Sequence, residues 1–128
     1  MKGLLNIFPL LALLFHAAFA EDPILSWIEE GNIEGIEEYL QDHDINGVYG
    51  DSETTMLVHA IVYGTPKTTA WLIKKGANVN QAVDSEDNTS IFYASLNGNL
   101  KIAKVLVKQG ADLWHKNKTG ETAYDLAV

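Results

Sequence analysis

The chain has 128 residues, of which 47% are hydrophobic and 20% charged, a composition typical of one globular domain and not of a disordered or fibrous chain. Its formal net charge is −8 at pH 7, which argues against nucleic acid as a partner because phosphate backbones repel an acidic surface. The absence of cysteine excludes a disulfide framework, a lipidated N-terminal cysteine and a thiolate metal site.

Residues 1–20 have the pattern of a secretory signal peptide. One cation precedes an apolar run over residues 4–15, and the segment ends on small residues, so we expect cleavage between Ala20 and Glu21. A short leader of this kind suits export to a bacterial periplasm, with secretion into the medium as the alternative. An uncleaved membrane anchor is the other interpretation, but the run is short compared with the roughly 20 apolar residues of a membrane-spanning helix. After cleavage we expect no membrane association.

The remaining residues repeat with a period of 33 or 34. The phrases "GAN" at Gly76 and "GAD" at Gly110 are 34 residues apart, and one glycine series and one threonine series keep the same interval. A period of this length with helical halves is typical of stacked repeats. The two series are Gly31, Gly64 and Gly98, and Thr55, Thr89 and Thr122.

These phrases resemble the ankyrin-repeat family, whose unit opens T-P-L-H-x-A and ends G-A-D-V-N. One unit here reads "TMLVHAIVYG" and "TPKTTAWLIKKGANVN", and the next reads "TSIFYASLNG" and "NLKIAKVLVKQGADL". The resemblance implies an all-α solenoid of helix-turn-helix units with projecting finger loops over residues 21–128. Its units would cover about 22–50, 51–84 and 85–117, with a partial cap at 118–128. The chain departs from the family where Met56 and Ser90 replace Pro, and where Val58 and Phe92 replace His.

Local patterns agree with helix pairs of this kind. Ile102, Val105 and Leu106 recur at helical spacing and predict one buried stripe. Gly110 follows the last turn, where it suits the left-handed position that ends a helix. The three repeated threonines each stand just before a helix, where a hydroxyl can cap free N–H groups. Trp27 stands where later units have Ala60 and Ala94, and we expect it to cover the open end of the core.

The finger loops and the concave face of the first helices are the surfaces free to bind a partner. The fingers cover residues 46–55, 80–89 and 114–122, and the first two are one residue longer than the third. The extra residue has two explanations, a role in binding or neutral drift. Aromatic and apolar residues on the concave face would suit protein contact, although His59 and Tyr93 could instead be buried between stacked helices. The predicted partner-binding residues are His59, Val62, Tyr63, Tyr93, Leu96 and Asn97 on the face, and Tyr49, Asp51, Asp84, Glu86 and Asp87 on the fingers.

Charge is distributed unevenly along the chain. Eleven acidic residues and no Lys or Arg lie between residue 20 and Lys67, whereas eight Lys and six acidic residues lie from Lys67 onward. In a linear stack, sequence position maps onto space, so one end is acidic. That end would steer a partner with a basic surface, or it would simply keep the protein soluble.

No catalytic, cofactor-binding or metal-binding constellation is predicted. The "DHD" at 42–44 falls where a helix should end, and the "DSEDN" at 84–88 lacks the glycine and the final glutamate of a calcium loop. We therefore expect a non-enzymatic, monomeric protein-binding module without a cofactor. The leading role is an immunity protein that blocks an antibacterial toxin in the periplasm. The alternatives are a stress accessory similar to ankyrin proteins found beside bacterial catalases, and a secreted effector that binds host proteins.

Overall fold

A computed structural model describes residues 22–127 of the chain. The predicted signal peptide and its cleavage site between Ala20 and Glu21 lie outside these residues. In chain order the elements are α1 (Ile24–Glu30), α2 (Ile33–Tyr39), β1 (Val48–Tyr49), β2 (Thr54–Thr55), α3 (Met56–Tyr63), α4 (Pro66–Lys74), α5 (Ser90–Leu96), α6 (Leu100–Lys108) and α7 (Ala123–Ala127).

The helices form a two-layer stack. The first helices of successive units pack in the order α1, α3, α5 and α7, and each of the first three also packs on the second helix of its own unit. In the second layer, α4 packs on α6. This arrangement confirms the predicted all-α solenoid, because each helix pair packs within itself and against the neighbouring units.

The core lies between the two layers. Fully buried side chains come from both the first helices, such as Ile28 and Phe92, and the second helices, such as Leu72 and Leu106. Burying a side chain of this size contributes about 1.5–3 kcal/mol relative to leaving it in water. In α6, Ile102 and Leu106 are buried and Val105 is half-buried, as the helical spacing predicts.

The helix ends show why these segments begin and stop where they do. The hydroxyl of Thr55 accepts a hydrogen bond from the Val58 amide at 3.2 Å and so caps α3. Thr122 caps α7 in the same way through the Asp125 amide. Gly110 has φ +91°, which confirms its predicted left-handed conformation after α6.

The prediction that Thr89 caps α5 through its hydroxyl is wrong. The Phe92 amide donates to the Thr89 backbone carbonyl at 3.0 Å, so the hydroxyl has lost its expected partner. The Thr89 hydroxyl and the neighbouring Ser90 hydroxyl are both buried without a hydrogen bond. A buried hydroxyl that loses its water contacts and gains no partner lowers stability.

The first unit closes on itself through aromatic contacts. Trp27 is half-buried and lies edge-to-face with Tyr39 of α2, with 6.5 Å between ring centroids. The Tyr39 hydroxyl donates to Asp22 at 2.7 Å, and the other oxygen of the same carboxylate accepts from the Ile24 amide at the start of α1.

Among residues 22–127, no helix is long and apolar enough to cross a bilayer.

Candidate functional site

A groove of about 230 Å³ lies where the face of the first helices meets two of the loops. We call these loops finger 1 (residues 46–55) and finger 2 (residues 80–89). The groove brings together five of the predicted partner-binding residues and adds five that the sequence did not single out. Its lining consists of Ser52, Glu53 and Thr54 from finger 1, Val58, His59, Val62 and Tyr63 from α3, Val83 and Asp84 from finger 2, and Tyr93 from α5.

Finger 1 is a small antiparallel hairpin in which β1 pairs with β2, with Val48 opposite Thr55 and Tyr49 opposite Thr54. Its turn contains Gly50 at φ +74°, and a Cβ at that position would lie 2.5 Å from the Leu25 side chain of α1. The hairpin therefore lies directly against α1, with Glu53 facing the groove.

Finger 2 has no strand and is organised by one carboxylate instead. Asp84 Oδ1 accepts from the amides of Glu86 and Asn88 at 2.9 and 3.1 Å. Its Oδ2 accepts from the Asn88 side-chain amide at 2.9 Å and from the Tyr93 hydroxyl at 2.7 Å. Asp84 therefore fixes both the course of the loop and its attachment to α5.

The ionisation of this pair follows from the same contacts. Burial alone would raise the pKa of Asp84, but the hydrogen bonds from Tyr93, Asn88 and Glu86 together lower it below its ordinary value. Burial and the bond to Asp84 raise the pKa of Tyr93 to about 12. At neutral pH, Asp84 therefore carries a negative charge and Tyr93 remains a neutral donor.

The floor of the groove contains a second polar contact. His59 is only 8% exposed, and its Nε2 lies 2.8 Å from Glu29 Oε1 of α1. The His59 ring is 4.9 Å from the ring of Tyr63, which is 66% exposed at the rim. His59 and Tyr93 are thus buried or half-buried and still line the groove, so the two interpretations offered for them are compatible.

The other predicted binding residues lie outside the groove lining. Leu96 is exposed near the end of α5, and Asn97 is the residue that ends this helix. On the fingers, Asp51, Glu86 and Asp87 are exposed to solvent. These five residues remain predictions for contact with a partner that extends beyond the groove.

Tyr49 is not part of the groove lining and contacts the first unit instead. Its hydroxyl donates to the Asp44 carbonyl, and its ring is 5.7 Å from that of Tyr39. His43, from the "DHD" at 42–44, stacks on Tyr39 with 3.7 Å between ring centroids. Its Nδ1 lies within hydrogen-bonding distance of the Tyr39 carbonyl, at 3.0 Å. These contacts give Tyr49 and His43 a role in closing the first unit.

A larger cavity of about 400 Å³ lies between α2 and α4, on the side of the second helices. Lys75 crosses it to reach Glu37 at 3.0 Å and lies 5.3 Å above the Trp71 ring. Within the described part of the chain, no group of three or more acidic or histidine residues is placed to bind a metal ion.

Comparison with known proteins agrees with this architecture. A family model for ankyrin repeats (three copies) matches residues 24–127. The chain is 32% identical over 104 residues to the rat ankyrin repeat and SAM domain-containing protein 6, which covers 79% of this chain and 12% of that protein. It is 30% identical over 109 residues to an ankyrin repeat-containing protein of Treponema pallidum (strain Nichols), covering 84% of this chain and 36% of the relative.

The fold thus defines a stacked helix-pair repeat protein with a loop-lined groove. The chain belongs to the ankyrin repeat family. Repeats of this family mediate binding to other proteins and are typically non-enzymatic. A yeast palmitoyltransferase is also similar, at 33% identity over 73 residues, but these cover only 9% of that enzyme. The chain spans about an eighth to a third of the length of the rat and Treponema relatives.

Proposed function

We propose that this chain is an exported protein-binding module that uses the groove between fingers 1 and 2 to block a partner, and that the partner is an antibacterial toxin in the periplasm. The proposed contact surface rests on the exposed ring of Tyr63, which lines a groove together with Tyr93, Val58, Val62 and Val83. Tyrosines in such positions dominate the binding energy of protein interfaces. The groove, at about 230 Å³, is smaller than the roughly 300–1,000 Å³ of most small-molecule sites, which favours a protein side chain as its occupant.

Export is supported by the signal-peptide pattern of residues 1–20. Fractionation tests it: the protein should be found in the periplasm with its mass reduced by that of residues 1–20. Intact protein in the cytosol would contradict export, and processed protein in the culture medium would favour the secreted effector.

The contact surface is tested by capture of the partner from a periplasmic extract. Tyr63→Ala should weaken capture about tenfold or more, since truncating a hot-spot residue removes at least about 1.4 kcal/mol of binding free energy. Tyr93→Ala should weaken it too, through loss of the ring and of the bond that positions finger 2.

Tyr124→Ala is the matched control, because Tyr124 is 60% exposed on α7 and lies outside the groove lining. Undiminished capture by both groove variants would show that the partner binds elsewhere. Blocking is tested separately, by growth of cells that export the captured partner with and without this chain. If growth is the same in both cases, the captured protein is not a toxin that the chain neutralises.

A further inference from the structure

The lining of the groove carries negative charge that the described residues leave unneutralised. Glu53 and Asp84 contribute two carboxylates, and the lining includes no Lys or Arg. The contacts between basic and acidic side chains found within residues 22–127 join His59 to Glu29 and Lys75 to Glu37, so neither involves a carboxylate of the lining. The one lining residue able to carry positive charge is His59, whose Nε2 already faces Glu29.

The two carboxylates differ in what they can offer a ligand. Each oxygen of Asp84 already accepts two hydrogen bonds, so Asp84 supplies a fixed negative field rather than a free acceptor. Glu53 is exposed, with φ +47°, and no hydrogen bond or ion pair of its side chain occurs among the described residues. Its carboxylate is therefore free to accept from a partner.

Aromatic rings complete the environment. The exposed Tyr63 ring and the half-buried Tyr93 ring lie in the same groove as the two carboxylates. A cation over a tyrosine face is attracted by the ring quadrupole, and a planar guanidinium can stack on the ring while its edge donates to a carboxylate. An acidic side chain would be repelled, and an apolar one would gain nothing from the charge of Glu53.

We propose that the groove binds one arginine side chain of the partner protein, with its guanidinium on the Tyr63 ring and donating to Glu53. This inference rests on the proposed function, because it specifies what the partner inserts into the same groove. It also fits the acidic end of the stack, since the eleven acidic residues before Lys67 would attract a basic surface over a longer range.

The test is a nuclear magnetic resonance titration of the purified protein with N-acetyl-arginine amide and with N-acetyl-citrulline amide, which has the same shape without the charge. The arginine compound should shift the amides of residues 52–54, 62–63 and 83–84, and should bind at least about threefold more tightly than the citrulline compound. Its binding should weaken as salt is raised, because the contact lies near the surface.

Glu53→Gln should remove most of this selectivity, whereas Glu38→Gln should leave it within experimental error. Glu38 is the matched control because it is exposed on α2 outside the lining and its loss changes the net charge equally. Equal binding of the two compounds, or unchanged selectivity in Glu53→Gln, would overturn the arginine inference. If partner capture is lost in Tyr63→Ala but is unaffected by Glu53→Gln, the proposed function stands and the arginine inference fails.

Discussion

Fingers 1 and 2 occupy equivalent places in successive units, but they are stabilised differently. Finger 1 is a backbone hairpin whose last residue, Thr55, caps the following helix through its hydroxyl. Finger 2 has no paired strands, and the four hydrogen bonds to the carboxylate of Asp84 hold its shape together with one backbone bond from the Val83 amide to the Asn88 carbonyl. At its end, Thr89 leaves a buried hydroxyl unsatisfied.

The difference shows that a repeat specifies its helices more strictly than its loops. Stacking requires each helix to present the same apolar face, so α3 and α5 bury equivalent positions. The fingers need only span the distance between helices, and either backbone pairing or one charged side chain can do this. One wall of the groove, finger 1, is therefore held by main-chain pairing, and the other, finger 2, depends on the ionised carboxylate of Asp84.

The largest difference in stability between the two fingers is expected when the carboxylate of Asp84 is removed. Asp84→Ala should lower the free energy of unfolding by about 2 kcal/mol, because charged hydrogen bonds of a half-buried group are lost. Asp51→Ala in finger 1 should change it by less than about 0.5 kcal/mol, since Asp51 is exposed. Urea denaturation measures both, and equal effects in the two fingers would contradict the distinction.

A smaller contrast is expected at the two threonines. Thr55→Val should destabilise by about 1 kcal/mol, the typical contribution of a helix-capping hydroxyl. Thr89→Val keeps the shape but removes a hydroxyl that has no partner, so stability should stay the same or rise by up to about 1 kcal/mol. Thermal unfolding of the pair gives the comparison directly, and a Thr89 variant as unstable as the Thr55 variant would mean that the hydroxyl is satisfied in solution.

The smallest expected effect is the pH dependence of finger 2. The pKa of Asp84 is lowered in the folded protein, so its contribution is present above the ordinary pKa of 3.8 and is lost as pH falls below that value. The pKa of Tyr93 is raised from 10.0 to about 12, so its contribution is present below pH 10 and is lost between pH 10 and 12.

Amide chemical shifts followed by titration measure this dependence finger by finger. Residues 83–89 should respond to acid, whereas the hairpin of residues 48–55 should respond less, because its pairing is between backbone groups. Burial also raises the pKa values of Tyr39 and Tyr49, so these tyrosines titrate at alkaline pH as well. Tyr93→Phe separates the contributions, because it should remove the alkaline response of finger 2 and leave that of the other two tyrosines. An unchanged alkaline response in this variant would assign it to those two tyrosines.

Much of the fold could be predicted, because residues that recur with the repeat period occupy equivalent packing positions in successive units. The repeated glycines and threonines gave the interval between units, and the stripe at Ile102 and Leu106 gave the buried face of α6. The error at Thr89 has a local cause. A threonine before a helix indicates a cap, but the sequence does not reveal whether the amide three residues later bonds to the hydroxyl or to the carbonyl.

The groove was predicted only in part, for a similar reason. His59, Val62, Tyr63 and Tyr93 followed from helical spacing, which places residues on one face. Glu53 and Val83 lie on loops, whose side-chain directions depend on turns that no periodicity describes. The contact between His59 and Glu29 joins residues 30 apart in two units, and it follows only once the stacking of α1 on α3 is known.

The missing side chain at Gly50 determines how closely finger 1 approaches α1. A Cβ at this position would meet the Leu25 side chain and would also strain a backbone at φ +74°, so either the leucine or the hairpin would have to move. Gly50 and Leu25 both lie outside the groove lining, so they set the position of finger 1 without contributing to the lining. Variation at Gly50 and Leu25 therefore offers a route to a different groove width with every lining residue unchanged.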